Sequence, residues 1–240
     1  MKNMALTEYE LKIINAHRLN IDKSFPTEFI NFFSQCKDYT MLSRERLYDL
    51  YNSIIYINKA SIKGDIIEVG CWAGGSLALC ALTVDSLSLN DVKIWGYDTF
   101  TGHPEPREDE YDIWGNNQSE KFLQLNGKDW AKVEINTVKN NLDLLGVKHH
   151  TYKLIKGKIE ETSILFSPKS IAILRIDVDW YEPTIVALNK FFPLLNKNGI
   201  LIIDDYGHHS GTKKAVDEYF SDKPVKFFHI DYSCISCVKL

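Results

Sequence analysis

The sequence predicts an α/β fold: a doubly wound, mostly parallel sheet with an antiparallel last strand, preceded by an N-terminal helical cap. Three observations point there. From Asp65 onward, short β-rich apolar runs alternate with helical patterns, which favours βαβ units and a parallel sheet. Four of those runs end in an acid: Glu68 lies one residue inside the end of the first, and Asp98, Asp177 and Asp204 follow the others. The chain finishes with two β-like runs, Val225 to Ile230 and Cys234 to Val238, separated by a short turn, the pattern of a hairpin.

Residues 1 to about 60 carry no β-like run and read as a helical cap on an α/β core spanning 61–240, all within one domain. Pro26 opens a segment, Thr27 to Cys36, whose Phe29, Ile30, Phe32 and Phe33 serve either the core or a homo-oligomer interface. Ser43 is an N-cap candidate with Arg46, not an acid, three residues on, so a capping box is absent. Leu47, Leu50, Tyr51, Ile54 and Ile55 then follow a helical period. The first strand is Asp65 to Val69, and its helix runs from Ser76 to Leu87. Val92 to Tyr97 is the second strand. Thr99 to Asn117 is a long polar loop with two prolines and two glycines, the kind that forms a lid or a binding loop. A helix over Asp129 to Leu145, with Asn140 and Asn141 exposed, leads to a third strand, Thr151 to Ile155. Ile171 to Ile176 is the fourth strand. The helix Pro183 to Leu195 is closed by Gly199, Ile200 to Ile203 is the fifth strand, and Lys213 to Phe220 is the last helix.

The 240 residues suffice for a sizeable core. A formal net charge of −4 gives no electrostatic reason to expect nucleic acid as a partner. The segment Met1 to Glu10 is polar, without the apolar stretch of a signal peptide, and no apolar run is long enough for a bilayer, so a cytoplasmic protein without a membrane partner is expected. Cys36, Cys71 and Cys80 are scattered, and Cys234 and Cys237 fall on opposite faces of the final strand. All five read as small buried hydrophobes, not as a disulfide or zinc set.

The stretch Gly64 to Ser76 is a strand, a Gly-rich turn and a helix start, which places a small ligand above the strand's carboxyl end. Its spacing is E-x-G-x-x-x-G-G. A carboxylate at Glu68 repels a pyrophosphate and suits an ammonium or sulfonium, so S-adenosylmethionine fits better than NAD or FAD; a plain tight turn is the alternative. Asp98, 30 residues on, is placed to accept both ribose hydroxyls, or else to cap the turn before Thr99. Asp177 and Asp179 share a strand face, and Asp204 and Asp205 end the next strand. Such crowding is relieved by a hard divalent ion, Mg²⁺, at Asp177, Asp204 and Asp205, or the acids cap helices. His208 is either a base or substrate contact near such a site or a solvated loop residue, as is His209. Trp180, Tyr181 and Tyr206 either stack on a flat apolar face or pack.

Taken together, Tyr39-Thr40-Met41, Gly64 to Ser76, Asp98 to Pro106, Lys156 to Thr162, Leu174 to Thr184 and Ile202 to Gly207 resemble the TylF/macrocin O-methyltransferase family, which methylates sugar hydroxyls. The matches run in order over most of the chain. The resemblance implies a Rossmann-like methyltransferase sheet in which Thr40 and Met41 fold over the cofactor. It implies that Glu68, Gly70, Cys71, Trp72, Gly75 and Ser76 hold the methionine part, and that Asp98, with Thr99 and Phe100 beside it, takes the ribose. Lys158 and Ile159 would flank adenine, and Asp177, Asp204 and Asp205 would hold Mg²⁺. Ala73, Trp180, Pro183 and the His208-His209 pair depart from the family's usual residues and leave the acceptor open. The expected reaction is metal-assisted methylation of a sugar hydroxyl on a glycoside, nucleotide sugar or glycan, with Asp177, Asp179 or His208 taking the proton. A phenolic or other non-sugar hydroxyl, a nucleotide-binding oxidoreductase and a non-catalytic scaffold are the other classes the sequence allows.

Overall fold

A computed structural model describes residues 24–124 and 131–240. The first 23 residues of the expected cap, and Asp129 at the start of the expected fourth helix, lie outside them. The described cap is α1 (Thr27–Cys36) and α2 (Arg44–Lys59), joined by a 3₁₀ turn at Lys37–Tyr39. The core runs β1 (Asp65–Val69), α3 (Gly75–Ser86), β2 (Ile94–Asp98), α4 (Gln118–Gln124), α5 (Ile135–Leu144), β3 (Tyr152–Lys156), α6 (Ile159–Leu165), β4 (Ile171–Ile176), α7 (Tyr181–Phe191), β5 (Leu195–Ile203), α8 (Ser210–Tyr219), β6 (Phe228–His229) and β7 (Ile235–Val238).

The seven strands form one sheet in the order β3-β2-β1-β4-β5-β7-β6. The first five are parallel, and β7 enters antiparallel between β5 and β6. Strand order reverses between β1 and β4, where a doubly wound sheet opens a crevice for a ligand. Alternation along the strands feeds two cores. Ile66, Ile94, Ile200 and Ile202 face α1, α2, α3 and α5, whereas Ile67, Val69, Leu174, Leu201 and Ile203 face α6, α7 and α8. Cys234 joins the first core and Cys237 the second, and all five cysteines are free and buried. Phe29 is fully buried, with Ile30, Phe32 and Phe33 packed around the same cluster, so α1 serves the core. No helix among the described residues is long and apolar enough to cross a membrane.

Four local expectations are corrected. The helix expected to reach Leu195 stops at Phe191: Phe192 keeps helical angles, but Pro193 has no N–H to continue the α-helical ladder, and the chain turns through a short 3₁₀ segment at Phe192–Leu194. Gly199 does not close that helix but lies inside β5, which begins at Leu195. The long loop after β2 is followed by a short helix, α4, that no apolar period announces. Asn141 is half-buried, and its amide donates to the Ala73 carbonyl at 3.0 Å, tying α5 to the Gly-rich turn.

Two glycines set how closely this turn meets its surroundings. Gly70, at φ +85°, ends β1, and a Cβ there would lie 1.8 Å from the Asp177 carbonyl oxygen. Gly75 begins α3 against the cap, and a Cβ there would lie 2.7 Å from the carbonyl of Tyr39. The cap is held from its own side by Ser43, whose Oγ accepts the Arg46 amide at 3.2 Å as the N-cap of α2.

Candidate active site

A cavity of about 360 Å³ opens at the carboxyl ends of β1, β2, β4 and β5. Met41, Gly70, Trp72, Asp98, Thr99, Lys158 and Ile159 line one side, and Asp177, Asp179, Asp204, Asp205 and His208 line the other. Thr40, Glu68, Cys71, Gly75, Ser76 and Phe100 stand outside the lining.

The first side is built by one carboxylate. Asp98 Oδ2 accepts the amides of Cys71 and Trp72 at 2.9 and 3.1 Å, and its Oδ1 accepts the Phe100 amide at 2.8 Å. The end of β2 thus organises the turn after β1. Trp72 and Phe100 are held at φ 42° and 53°, left-handed conformations that non-glycine residues adopt mainly where surrounding contacts enforce them.

The second side is an ion network that the sequence reading did not foresee. Glu68 is buried and pairs with the equally buried Arg175. Burial pushes the Glu68 carboxyl up to about 7, against the pull of Arg175, and its Oε2 has no hydrogen-bond partner. Arg175 Nη2 also reaches Asp177 at 2.9 Å and Asp204 at 2.7 Å. Arg46, projecting from α2, closes on Asp204 and on Asp231 in the β6–β7 turn, the latter at 2.6 Å. Two guanidiniums therefore relieve part of the acidic crowding that the sequence assigned wholly to a cation.

They do not relieve all of it. Asp205 Oδ2 is buried without a partner, and burial together with Asp179, Asp177 and Asp204 raises its carboxyl well above the ordinary range. Asp177, Asp204 and Asp205 each offer an oxygen, and these atoms lie within 4.8 Å of one another; Asp179, Asp205 and His209 form a second such group. Crowded oxygens with one orphaned atom fit a hard divalent cation. Asp179, at φ 61°, has His103 Nε2 at 3.3 Å and His209 Nε2 at 3.6 Å. Burial pushes Asp179 up, but the two imidazoles outweigh it and hold the carboxyl below its usual value.

His208 lies at the rim with its Nδ1 3.0 Å from the Tyr232 hydroxyl. Trp180, Tyr181 and Tyr206 pack and do not form an open platform. Trp180 is buried and donates to the Pro104 carbonyl at 3.0 Å, while the hydroxyls of Tyr181 and Tyr206 bond Glu218 and Asp217 of α8. Sequence reasoning missed Arg46, His103, Arg175 and Tyr232. A readable signal existed only for Arg175, a lone charge inside the apolar run Ile171–Ile176.

The family model for macrocin-O-methyltransferase (TylF) matches residues 34–238. The chain belongs to this family. Mycinamicin III 3''-O-methyltransferase of Micromonospora griseorubida is 26% identical over 181 residues, covering 75% of this chain and 70% of that protein. Demethyldecarbamoylnovobiocin O-methyltransferase of Streptomyces niveus is 27% identical over 228 residues, covering 91% and 82%. The solved O-methyltransferase NovP superposes with a TM-score of 0.76 at 25% identity, over 84% of this chain and 82% of that one. A calicheamicin methyltransferase, CalS11, shares the fold with a TM-score of 0.63 at 20% identity. This TylF-family chain is an S-adenosylmethionine-dependent O-methyltransferase with a Rossmann-like sheet.

Proposed function

We propose that the enzyme methylates a sugar hydroxyl of a glycoside, nucleotide sugar or glycan, with Mg²⁺ held by Asp177, Asp204 and Asp205. The observation that carries the metal is Asp205, whose buried Oδ2 lacks any protein partner while three other carboxylates crowd it. The sugar rests on the relatives, whose names include mycinamicin III 3''-O-methylation and 4'-O-methylation of a rhamnosyl-tetracenomycin. A cytoplasmic location and the lack of a nucleic-acid or membrane partner belong to the same reading.

S-adenosylmethionine, when bound, supplies an electrophilic methyl group. A bound divalent cation lowers the pKa of a neighbouring hydroxyl and stabilises negative charge on its oxygen. The chain's own residues do the rest. Asp98, fixed by three amides, presents its remaining lone pairs to the ribose hydroxyls. Lys158 and Ile159 flank the adenine, and Thr40 and Met41 cover the donor from the cap. Gly70, Cys71, Trp72, Gly75 and Ser76 shape the turn around the methionine part, and Glu68, buried behind that turn against Arg175, supports it from outside the cavity lining.

Asp179 takes the hydroxyl proton. Asp177 and Asp204 are engaged by arginine and by the proposed cation, whereas Asp179 stands outside that set against His103 and His209, which steady its charged, proton-accepting form. Holding both reactants against one rigid sheet edge supplies much of the rate. The test is methyl transfer from labelled donor to a panel of glycosides with and without EDTA. Loss of transfer in EDTA and recovery with Mg²⁺ is expected, and full transfer in EDTA rejects the cation.

A further inference from the structure

One part of the cavity rim has no role in donor or cation binding. Trp114 is 74% exposed and Tyr232 62% exposed, both high values for large aromatics. They meet through one side chain. The Trp114 and His208 rings lie edge to face at 5.0 Å, and His208 meets the Tyr232 ring at 5.9 Å and its hydroxyl at 3.0 Å. His208 and Tyr232 line the cavity, so the aromatic strip is continuous with it.

Trp114 is not exposed because its loop is loose. Asp112 is buried and accepts the amides of Trp114 and Asn116 at 3.0 and 2.9 Å. Asp112 itself bridges to His209, and Tyr111 exchanges hydrogen bonds with Ser210 on either side. Glu110, also buried, accepts the amide of Tyr181 at 2.7 Å. The turn is therefore pinned to the start of both α7 and α8, and it holds an indole at the mouth with an open face.

Charge narrows what that strip receives. Among the described residues lining the cavity, the cations are Arg46 and Lys158, besides the histidines. Arg46 is engaged by Asp204 and Asp231, and Lys158 belongs to the donor side. A diphosphate beside the strip would meet Asp177, Asp179, Asp204 and Asp205 with Arg46 already engaged, and only the cation proposed on these acids could offset it, at the expense of the positions that the sugar hydroxyl needs.

We propose that Trp114, His208 and Tyr232 form an acceptor subsite that stacks on an uncharged ring attached to the methylated sugar. The acceptor is then a glycoside with a flat apolar aglycone, not a nucleoside-diphosphate sugar. The inference rests on the sugar reading above and deepens it.

The experiment uses matched pairs: 4-nitrophenyl and methyl glycosides of the same sugars, rhamnose and glucose among them, with thymidine-diphosphate rhamnose and glucose and the phenol catechol alongside. Binding to the donor-loaded enzyme is read by saturation-transfer NMR, and kcat/KM by labelled methyl transfer. The aryl glycoside is expected to exceed its methyl partner by about tenfold in kcat/KM, mostly through KM. Trp114→Ala is expected to collapse that ratio toward one, and Trp114→Phe to keep most of it; Trp114 is exposed, so folding is not at stake. An aryl-to-methyl ratio near one, a ratio unaffected by Trp114→Ala, or better turnover of the thymidine-diphosphate sugars overturns the subsite and leaves the sugar reading standing. Methylation of catechol with neither binding nor turnover of any sugar overturns both.

Discussion

The two sides of the cavity solve the same problem, holding a small ligand at a sheet edge, with different materials. On the side proposed for the donor one carboxylate, Asp98, gathers three main-chain amides, and the shape is finished by backbone. On the side proposed for the acceptor the structure is an alternation of buried and half-buried charges, Glu68, Arg175, Asp177, Asp204, Arg46 and Asp231, beside the crowded Asp179 and Asp205. Amides that satisfy a carboxylate leave a formed site in the empty protein. A set of acids with an orphaned oxygen is completed only by what binds it. The donor side is thus preorganised, and the acceptor side is finished by its ligands.

The strongest way to break this contrast is Asp205→Asn. Methyl transfer should fall about a hundred- to a thousandfold, the scale of losing one electrostatic contributor to catalysis, while donor affinity by calorimetry stays within about threefold. Equal losses in both would merge the two sides into one unit. Asp98→Asn is the mirror experiment. Donor Kd should weaken about ten- to a hundredfold, because hydrogen bonds to a charged acceptor contribute about 1.5–3 kcal/mol, with binding of Mn²⁺ as a Mg²⁺ substitute preserved by electron paramagnetic resonance.

Smaller effects sharpen the contrast within α2, where Arg46 is paired and Asp49, nearly a turn further on, is not. Arg46→Gln should cost about 1 to 2 kcal/mol of unfolding free energy in urea, since it strips Asp204 and Asp231 of a charged partner. Asp49 Oδ2 is buried without a hydrogen-bond partner, and burial pushes its carboxyl up to about 6. The folded chain then keeps a proton that the unfolded chain releases near pH 3.8, so stability falls as pH rises from there to about 6 and levels off above. Asp49→Asn should flatten that slope and add about 1 kcal/mol at pH 7.5, measured by urea unfolding across pH.

The turn after β1 and the acid that organises it were legible in the sequence because their signals are local. A strand, a Gly-rich turn and an acid at the next strand end follow one another closely, and β-rich apolar runs located β1, β2 and β4 within about two residues. The ion network was not legible, because its partners are far apart in the chain. Glu68 meets Arg175 across 107 positions, and Arg46 meets Asp204 across 158. Arg46 entered the reading only as the residue that spoiled a capping box. Likewise Asn196-Lys197-Asn198, left between the expected helix and the expected fifth strand, lies inside β5 as an irregular stretch, with Asn198 at φ 65° donating its amide to the Lys239 carbonyl at 2.8 Å.

The contact at Gly75 carries a mechanical consequence. With no side chain there, the start of α3 lies directly on the Tyr39 carbonyl. The segment bearing Thr40 and Met41 is therefore geared to the helix that begins at the Gly-rich turn, with no compressible layer between them. A single added methyl, Gly75→Ala, would pry the two apart, so that its first symptom would be faster clipping by a protease near Met41, ahead of any loss of helix.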